Sequence, residues 1–277
     1  MPVPGLALVG CMPPDDGIKY LATECAPVSC DPAALHAEWT AATALIREPL
    51  SNVGMPEILD IPDEYKGYVD ALKASEQWRP AFDANPHWDI KLVEAGPLLA
   101  YQFQVLDGHA TSHGSGLGNP PTLDELFAAC LPIMPVSENF TWTRFGNSVL
   151  VETRALNLRP DLLPIDGQPG AFVFRIGAAL PFVHVVRFEG KCFLHNGYHR
   201  TYAALTKAAT HVPCVIRDVA SPQEVGLGQG TFSLEAFQSQ NPPCMHQFGS
   251  GQAYPVQLIV KTRTVQLSVN DWVTPEI

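Results

Sequence analysis

The chain has little positive charge: 17 Lys and Arg stand against 28 Asp and Glu in 277 residues, a formal net charge of −11 with His neutral. The basic residues are scattered, so no cationic face is available to neutralise a phosphate backbone, and nucleic-acid binding is not expected. No apolar run approaches the ~20 residues a membrane helix needs, so no membrane association is expected. The seven cysteines, Cys11, Cys25, Cys30, Cys130, Cys192, Cys214 and Cys244, contain no Cys-x-x-Cys pair. That removes zinc-ribbon and thioredoxin-type readings and leaves reduced thiols in a cytoplasmic protein. No Gly-Lys-Ser/Thr follows a glycine-rich stretch, which excludes a Walker loop. No Gly-x-Ser-x-Gly elbow occurs either; Ser112-His113-Gly114-Ser115-Gly116 matches it in composition only. Met1 to Cys11 ends like a lipoprotein cleavage box, yet its short apolar run has no preceding basic residue and holds Pro2 and Pro4. No leader peptide is therefore expected.

What is present describes an ordered globular chain, 46% hydrophobic and 16% charged, with 26 Pro and 21 Gly to make many turns. Residues 1–30 show no clear period and read as an irregular arm. Asp31-Pro32 is an N-cap followed by Pro at the first helical position, so a helix is predicted over Ala33 to Glu48. A second is predicted over Pro62 to Ala74, with Tyr65, Tyr68, Val69 and Leu72 on one face. His87 to Glu94 reads as extended, and Leu98 to Val105 as one alternating strand. Asp107 to Asn119 reads as a flexible glycine-rich loop. Asp107, His109 and His113 are of metal-ligand type, but their spacing fits no strong template and no metal is assigned. Thr122-Leu123-Asp124-Glu125 is a capping box that opens a helix to about Leu131.

A hairpin is predicted from Phe140–Arg144 and Ser148–Arg154, with Trp142, Phe145, Val149 and Val151 as its apolar contribution. Residues 155–170 read as a loop, and Phe172 to Ile176 as a short strand or helical turn. A helix start is predicted at Ser221-Pro222, a mobile turn over Gly226, Gly228 and Gly230, and a short helix over Thr231 to Phe237. Val256–Val260 and Thr264–Val269 read as a terminal hairpin around Lys261-Thr262-Arg263. The expected class is α+β, a single compact unit over residues 1–277. Its mixed sheet would have a mainly helical part at 1–97 and a mainly β part at 98–277.

The most informative stretch is Val183 to Ile216. Val183-His184-Val185-Val186-Arg187 and Cys192-Phe193-Leu194-His195 have strand character, with Glu189-Gly190 between them as turn chemistry. After the polar cluster Asn196-Gly197-Tyr198-His199-Arg200, the Ala-rich run to Ala209 has helical spacing, and His211-Val212-Pro213-Cys214-Val215-Ile216 is a buried strand. Gly197 permits positive φ or close approach at the junction. His199 and Arg200 then fall in the first helical turn, where free amides and the positive dipole end disfavour a cation unless an anion is bound. Amides beside a guanidinium fork suit a phosphate or carboxylate. The alternative is that Arg200 pairs with a nearby carboxylate and His199 caps a carbonyl.

This stretch resembles the core of the ParB/sulfiredoxin superfamily. There a strand hairpin leads into a Gly-x-His-Arg motif at a helix start, then an Ala-rich helix and a Val-Pro-Val-type strand. Gly197, His199 and Arg200 carry the motif, and His211 to Val215 carry the closing strand, about an eighth of the chain in all. The resemblance implies nucleotide phosphates held at the helix start, as in CTP-binding partition proteins, sulfiredoxins and free serine kinases. Two positions depart from the family. Tyr198 stands where sulfiredoxins carry their catalytic Cys, so sulfinic acid reduction is not implied. Asn196 stands where kinase-like members often carry an acid, and it cannot be a base.

The expected site therefore has His199 and Arg200 as catalytic groups and Asn196, Gly197, Tyr198 and Thr201 as binding groups. Its ligand would be a small anion, a nucleotide with Mg2+ or a phosphorylated metabolite. Phosphoryl transfer or hydrolysis would need a carboxylate base; Glu189 and Asp218 are available, although no spacing aims either at the site. The alternative is a non-catalytic anion sensor whose helical first third contacts a protein partner. A third reading makes the motif a structural knot, with function in the 107–119 segment.

Overall fold

The structure is a computed structural model. It describes residues 2–26, 29, 31–46, 53–75, 78, 82, 87–133, 141–146, 148–153, 158–164, 172–178, 181–227, 231–239, 241–261 and 263–268. The chain has the expected α+β class, with helices beside mixed and antiparallel sheets. In place of one unit divided near residue 97, contacts group it into two compact units, residues 1–135 with 181–259 and residues 136–180 with 260–277.

The first unit opens with β1 (Val3–Ala7), α1 (Pro14–Glu24) and α2 (Pro32–Leu45). Where an irregular arm was expected over residues 1–30, Val3–Ala7 is a strand and Pro14–Glu24 a helix. β1 is made by partners remote in sequence, which is why no local pattern marks it. α1 carries Pro14 at its start and Asp15 and Asp16 in its first turn, standard chemistry for a positive dipole end. α2 starts as expected, with the Asp31 carboxylate accepting from Ala34 N at 3.3 Å. β2 (Ile58–Leu59), α3 (Lys66–Ala74), β3 (Asp89–Glu94), β4 (Leu99–Ala100) and β5 (Gln104–Leu106) follow.

The single strand expected over 98–105 is two, and they belong to different sheets. The break is explained by hydrogen bonds: the amides of Tyr101 and Gln102 leave the ladder and donate to the Tyr198 hydroxyl at 3.0 and 3.3 Å. The 107–119 loop is likewise corrected, because Asp107–Gly114 is a helix, α4. Two glycines hid it; a Cβ at Gly114 would make only an ordinary contact with Ala203 Cβ at 3.4 Å, so the packing of α4 does not depend on that glycine. α5 (Leu123–Cys130) has the expected capping box.

In the second unit β6 (Thr141–Phe145), β7 (Ser148–Thr153) and a later strand form an antiparallel sheet, and β8 (Leu158–Pro164) pairs with β9 (Phe172–Ala178). Residues 158–164 are therefore strand where a loop was expected. Of the hairpin's expected apolar contribution, Trp142 and Phe145 are 71% and 76% exposed, whereas Val151 is buried.

Back in the first unit come β10 (His184–Phe188), β11 (Lys191–Asn196), α6 (Tyr198–Thr206) and β12 (His211–Asp218). This order is the one expected from the sequence; the bounds shift by a residue or two, and α6 ends at Thr206 where the Ala-rich run was expected to continue to Ala209. Then follow α7 (Pro222–Val225), α8 (Leu234–Gln238), α9 (Met245–Gly249) and β13 (Tyr254–Leu258); β14 (Arg263–Ser268) closes the second unit's sheet. Gly228 and Gly230 lie outside the described residues. The expected terminal hairpin does not form: β13 pairs with β1 and β14 with β7. Lys261-Thr262-Arg263 lacks the glycine or asparagine of a tight hairpin turn, so nothing local holds the two together.

The six-stranded sheet runs β2-β3-β12-β10-β11-β4, and a three-stranded sheet runs β13-β1-β5. β10 and β12 are parallel, which needs a crossover, and α6 supplies it. Alternation along β12 turns Cys214 to one face, where Cys130 of α5 is near enough to act on its thiol, and turns Val215 and Arg217 to the other. On that other face Phe193 of β11 meets Phe237 of α8 edge-on at 5.1 Å. Phe127, Phe182, Phe193, Phe237 and Leu194 are fully buried, and each contributes about 1.5–3 kcal/mol of transfer free energy.

Candidate functional site

The junction between β11 and α6 is held by three tethers. Gly197, the residue before α6, has φ +95°. A Cβ there would meet Val183 Cγ2 at 2.8 Å and Val183 Cα at 2.9 Å, so the glycine serves both its backbone angle and its close approach. Val183 is fixed in turn, since its amide donates to Cys130 O at 2.8 Å and its carbonyl accepts from Val215 N at 2.9 Å. Asn196 donates from Nδ2 to Phe182 O at 3.2 Å and so ties the end of β11 to the entry of β10.

Tyr198 is the third tether, and its expected role as a binding group is corrected. Its side chain is 2% exposed. The hydroxyl accepts from Tyr101 N and Gln102 N and donates to Leu194 O. The ring cannot stack on a base; only its backbone amide faces the helix start. Replacing Tyr198 with Phe leaves the buried Tyr101 amide, the part-buried Gln102 amide and one carbonyl without this partner, a cost of about 2 kcal/mol. A denaturant midpoint measures it, and a loss of only a few tenths of a kcal/mol would mean that the amides find other acceptors.

At the start of α6 the geometry of any α-helix leaves the first amides without intrahelical acceptors. No side chain caps this end, and the first turn holds no acidic residue. Thr201, the first residue whose amide is satisfied within the helix (to Gly197 O, 2.8 Å), is 0% exposed, and its Oγ1 has no hydrogen-bond partner. Arg200 is half-buried in this turn. Its charge reaches several neighbours, lowering the pKa of His113, His199 and Cys130 against or alongside the effect of burial.

His199 accepts a hydrogen bond at Nε2 from Leu106 N at 3.0 Å. The lone pair is therefore on Nε2 and the proton on Nδ1, so the ring is neutral. Burial, followed by His109, His113 and Arg200, pushes its pKa down to about 3. As a neutral ring it can donate from Nδ1, but it cannot serve as an acid at neutral pH.

The correction of the 107–119 loop to α4 changes the site. His109 and His113 are four apart on α4, and α4 packs on α6. The His109 and His199 rings meet edge-on with centroids 5.0 Å apart. His113 is pushed down to about 4 by burial, then by Arg200 and His109. Two segments weighed separately in the sequence are one cluster of three imidazoles and a guanidinium. The spacing His109-x-x-x-His113 could have signalled it, had the glycines not argued for a loop. Among the described residues no group of three or more His, Cys, Asp or Glu could hold a metal ion.

No family model matches this chain. Among curated proteins and solved structures, none matches either.

The two available carboxylates, which no spacing aimed at the site, lie elsewhere. Glu189 is exposed in the β10–β11 turn with φ 49°, at the opposite end of β11 from the helix start. Six residues of strand separate the two, about 20 Å. Asp218 is exposed and bonded to Arg187, with Arg187 Nη2 to Asp218 Oδ2 at 2.7 Å. His195 is half-buried at the end of β11, with its ring 4.8 Å from His184. Cys192 is buried, its pKa raised to about 11 chiefly by burial, which does not suit a nucleophile.

Proposed function

We propose that the chain binds a small phosphorylated anion, a nucleotide or phosphorylated metabolite, at the start of α6. The observation that carries this reading is Thr201: a fully buried hydroxyl with no partner, in the first turns of an uncapped helix that begins His199-Arg200. A buried polar atom without a partner calls for an explanation, and a bound oxyanion supplies one. Backbone amides from Tyr198 to Arg200, the Thr201 hydroxyl, the Arg200 guanidinium and the Nδ1–H of His199 would be its donors. Asn196 and Gly197 would shape the turn and make no direct contact beyond the backbone. The resemblance of Val183 to Ile216 to the ParB/sulfiredoxin core adds the expectation that the anion is a nucleotide phosphate, with Mg2+ accompanying it.

Binding without turnover fits the site better than phosphoryl transfer, because Glu189 and Asp218 are remote or committed and His199 is neutral. A cytoplasmic location belongs to the same proposal, supported by six free thiols among the described residues.

The test is thermal stabilisation and binding of nucleoside triphosphates, with and without magnesium, together with product analysis. Binding without product is the expected result. Arg200→Ala should weaken it by about 10- to 100-fold, since a charge-assisted hydrogen bond is worth ~1.5–3 kcal/mol. Wild-type protein that neither binds nor is stabilised, or Arg200→Ala with unchanged affinity, would refute the site.

A further inference from the structure

A cavity of about 600 Å³ lies between α1 and the segment that leads into α8. That volume is within the ~300–1,000 Å³ range of small-molecule sites. One wall is a single face of α1, where Asp16, Lys19, Tyr20 and Thr23 recur at helical spacing. The facing wall is Phe232 to Ala236, at the start of α8, and Phe103 joins the two. Main-chain bonds tie these walls to the body: Phe103 O accepts from Leu8 N at 2.8 Å, and Phe232 N donates to Tyr101 O at 3.1 Å. Behind α1, Trp39 Nε1 donates to Met12 O at 3.1 Å. Gly17 admits the same indole so closely that a Cβ there would meet Trp39 Cδ1 at 2.4 Å. The fold therefore sets the spacing of the two walls.

The floor is aromatic, since Tyr20 and Phe232 are buried while Asp16, Lys19 and Glu235 are exposed. Tyr20 meets Phe103 edge-on at 5.5 Å, and Phe103 meets Phe232 edge-on at 4.9 Å. Such rings give an apolar body its contact area and a cation the negative face of a π-system. The Tyr20 hydroxyl donates its proton to Gln104 Oε1, so its oxygen can only accept. The rim is acidic. Asp16 and Glu24 on α1 and Glu235 on α8 stand against one lysine, Lys19. Asp16 and Lys19 take part in none of the ion pairs seen among the described residues, so the lysine does not cancel its helix neighbour. The amides at the start of α8 do not reverse this sign. α8 has only five residues, and Ser233 Oγ already accepts from Ala236 N at 3.4 Å.

An anion placed here would meet three carboxylates and one ammonium. An uncharged body would gain from the floor and nothing from the rim. A cation on an apolar body gains from both. We infer that this cavity binds a small organic cation, an ammonium group carried on an aromatic or alkyl body, with the body on Tyr20, Phe103 and Phe232 and the head among the carboxylates of Asp16, Glu24 and Glu235. The site shares no residue with the α6 start. It offers acceptors where the α6 start offers donors, so the two take ligands of opposite charge and neither depends on the other.

The test uses the full chain and three probes that share a phenylethyl body: phenethylamine, phenethyl alcohol and hydrocinnamate, with ammonium, hydroxyl and carboxylate heads. Titrations follow the ring resonances of Phe103 and Phe232. Phenethylamine should move both, with a dissociation constant of about 1 mM or tighter. The alcohol should bind about tenfold more weakly, and hydrocinnamate should leave both rings unmoved. Asp16→Asn combined with Glu235→Gln should remove most of the preference for the amine and leave the affinity for the alcohol unchanged. Thr23→Trp fills the cavity from α1 and should abolish the response to both. All three substituted positions are exposed, so these variants keep the fold. Equal affinity for amine and alcohol, binding of hydrocinnamate as tight as that of the amine, or a preference that survives the double substitution would overturn the inference. So would a phenethylamine response that persists in Thr23→Trp, or silence of both rings in the wild type.

Discussion

Gly197→Ala should destabilise the first unit by about 2–5 kcal/mol, with no loss of a hydrogen bond or buried apolar group. Two costs add. An alanine held at φ +95° is strained by about 1–3 kcal/mol. Its Cβ also meets Val183 at 2.8 and 2.9 Å, and forced overpacking adds about 1–3 kcal/mol. One of the two close atoms is Val183 Cα, and that backbone is tied at both ends, to Cys130 O and Val215 N. The contact therefore cannot be relieved by turning a side chain. Val183→Ala in the same chain removes Cγ2 but not Cα, so the double variant should recover only part of the loss. Urea midpoints of the four proteins in this cycle measure it. A loss below about 1 kcal/mol, or full recovery in the double variant, would show that the junction relaxes and that the close approach is not what requires glycine.

The same residue shows what could be read from the sequence. The β10–β11–α6–β12 order was legible because each step has local chemistry. Glu189-Gly190 turns with positive φ at both residues, 49° and 77°, as a tight hairpin turn requires. Gly197 marks the junction, and the Ala-rich run and the β-branched strand carry their own periods. What was not legible depends on partners far along the chain. β1 exists because β5 and β13 flank it on either side, some hundred and two hundred and fifty residues away. The strand after Leu98 breaks because a hydroxyl on Tyr198 takes two of its amides. α4 was hidden because glycine lowers helix propensity, and packing against α6 overrode it.

The candidate site was legible in the same uneven way. The helix start with Arg200 was visible, but the sequence could not show that His109 and His113 are brought to it, nor that Tyr198 is consumed by structure. The packing of Arg217 and His184 on Trp88 was missed entirely, because it is created by cross-strand register, and register is a pairing of segments rather than a property of one.

Those same imidazoles make stability depend on pH in the mildly acidic range. His184 and His199 have folded-state pKa values of about 3, and His113 of about 4, all lowered first by burial from the ordinary 6.5. Each faces further positive or protonatable groups: His195 and Arg217 around His184, His109, His113 and Arg200 around His199, and His109 and Arg200 around His113. Between pH 6.5 and pH 4 the unfolded chain binds protons that the folded chain refuses. Stability from these groups is thus fully present above the unfolded value and lost as pH falls towards the folded values. Each histidine can cost about 1.4 kcal/mol per pH unit. Allowing for partial exposure, the three together should cost about 2–4 kcal/mol per unit. Over one and a half units that rivals the ~5–15 kcal/mol holding a typical domain.

Carboxylates do not confuse this window, because those with resolved shifts, Asp89, Glu125, Asp218 and Glu235, are lowered and titrate beneath it. Urea unfolding between about pH 7.5 and about pH 5 should therefore show uptake of two to three protons, and His184→Gln should remove one. An oxyanion bound beside any of these rings favours its charged form. Saturating phosphate should accordingly raise the folded-state pKa of the ring it touches and shrink the loss, while the onset stays at the unfolded value. A stability that is flat from pH 7.5 to pH 5 would mean that these rings take up protons in the folded state at their ordinary pH, and that the cores around α6 and Trp88 are open to water.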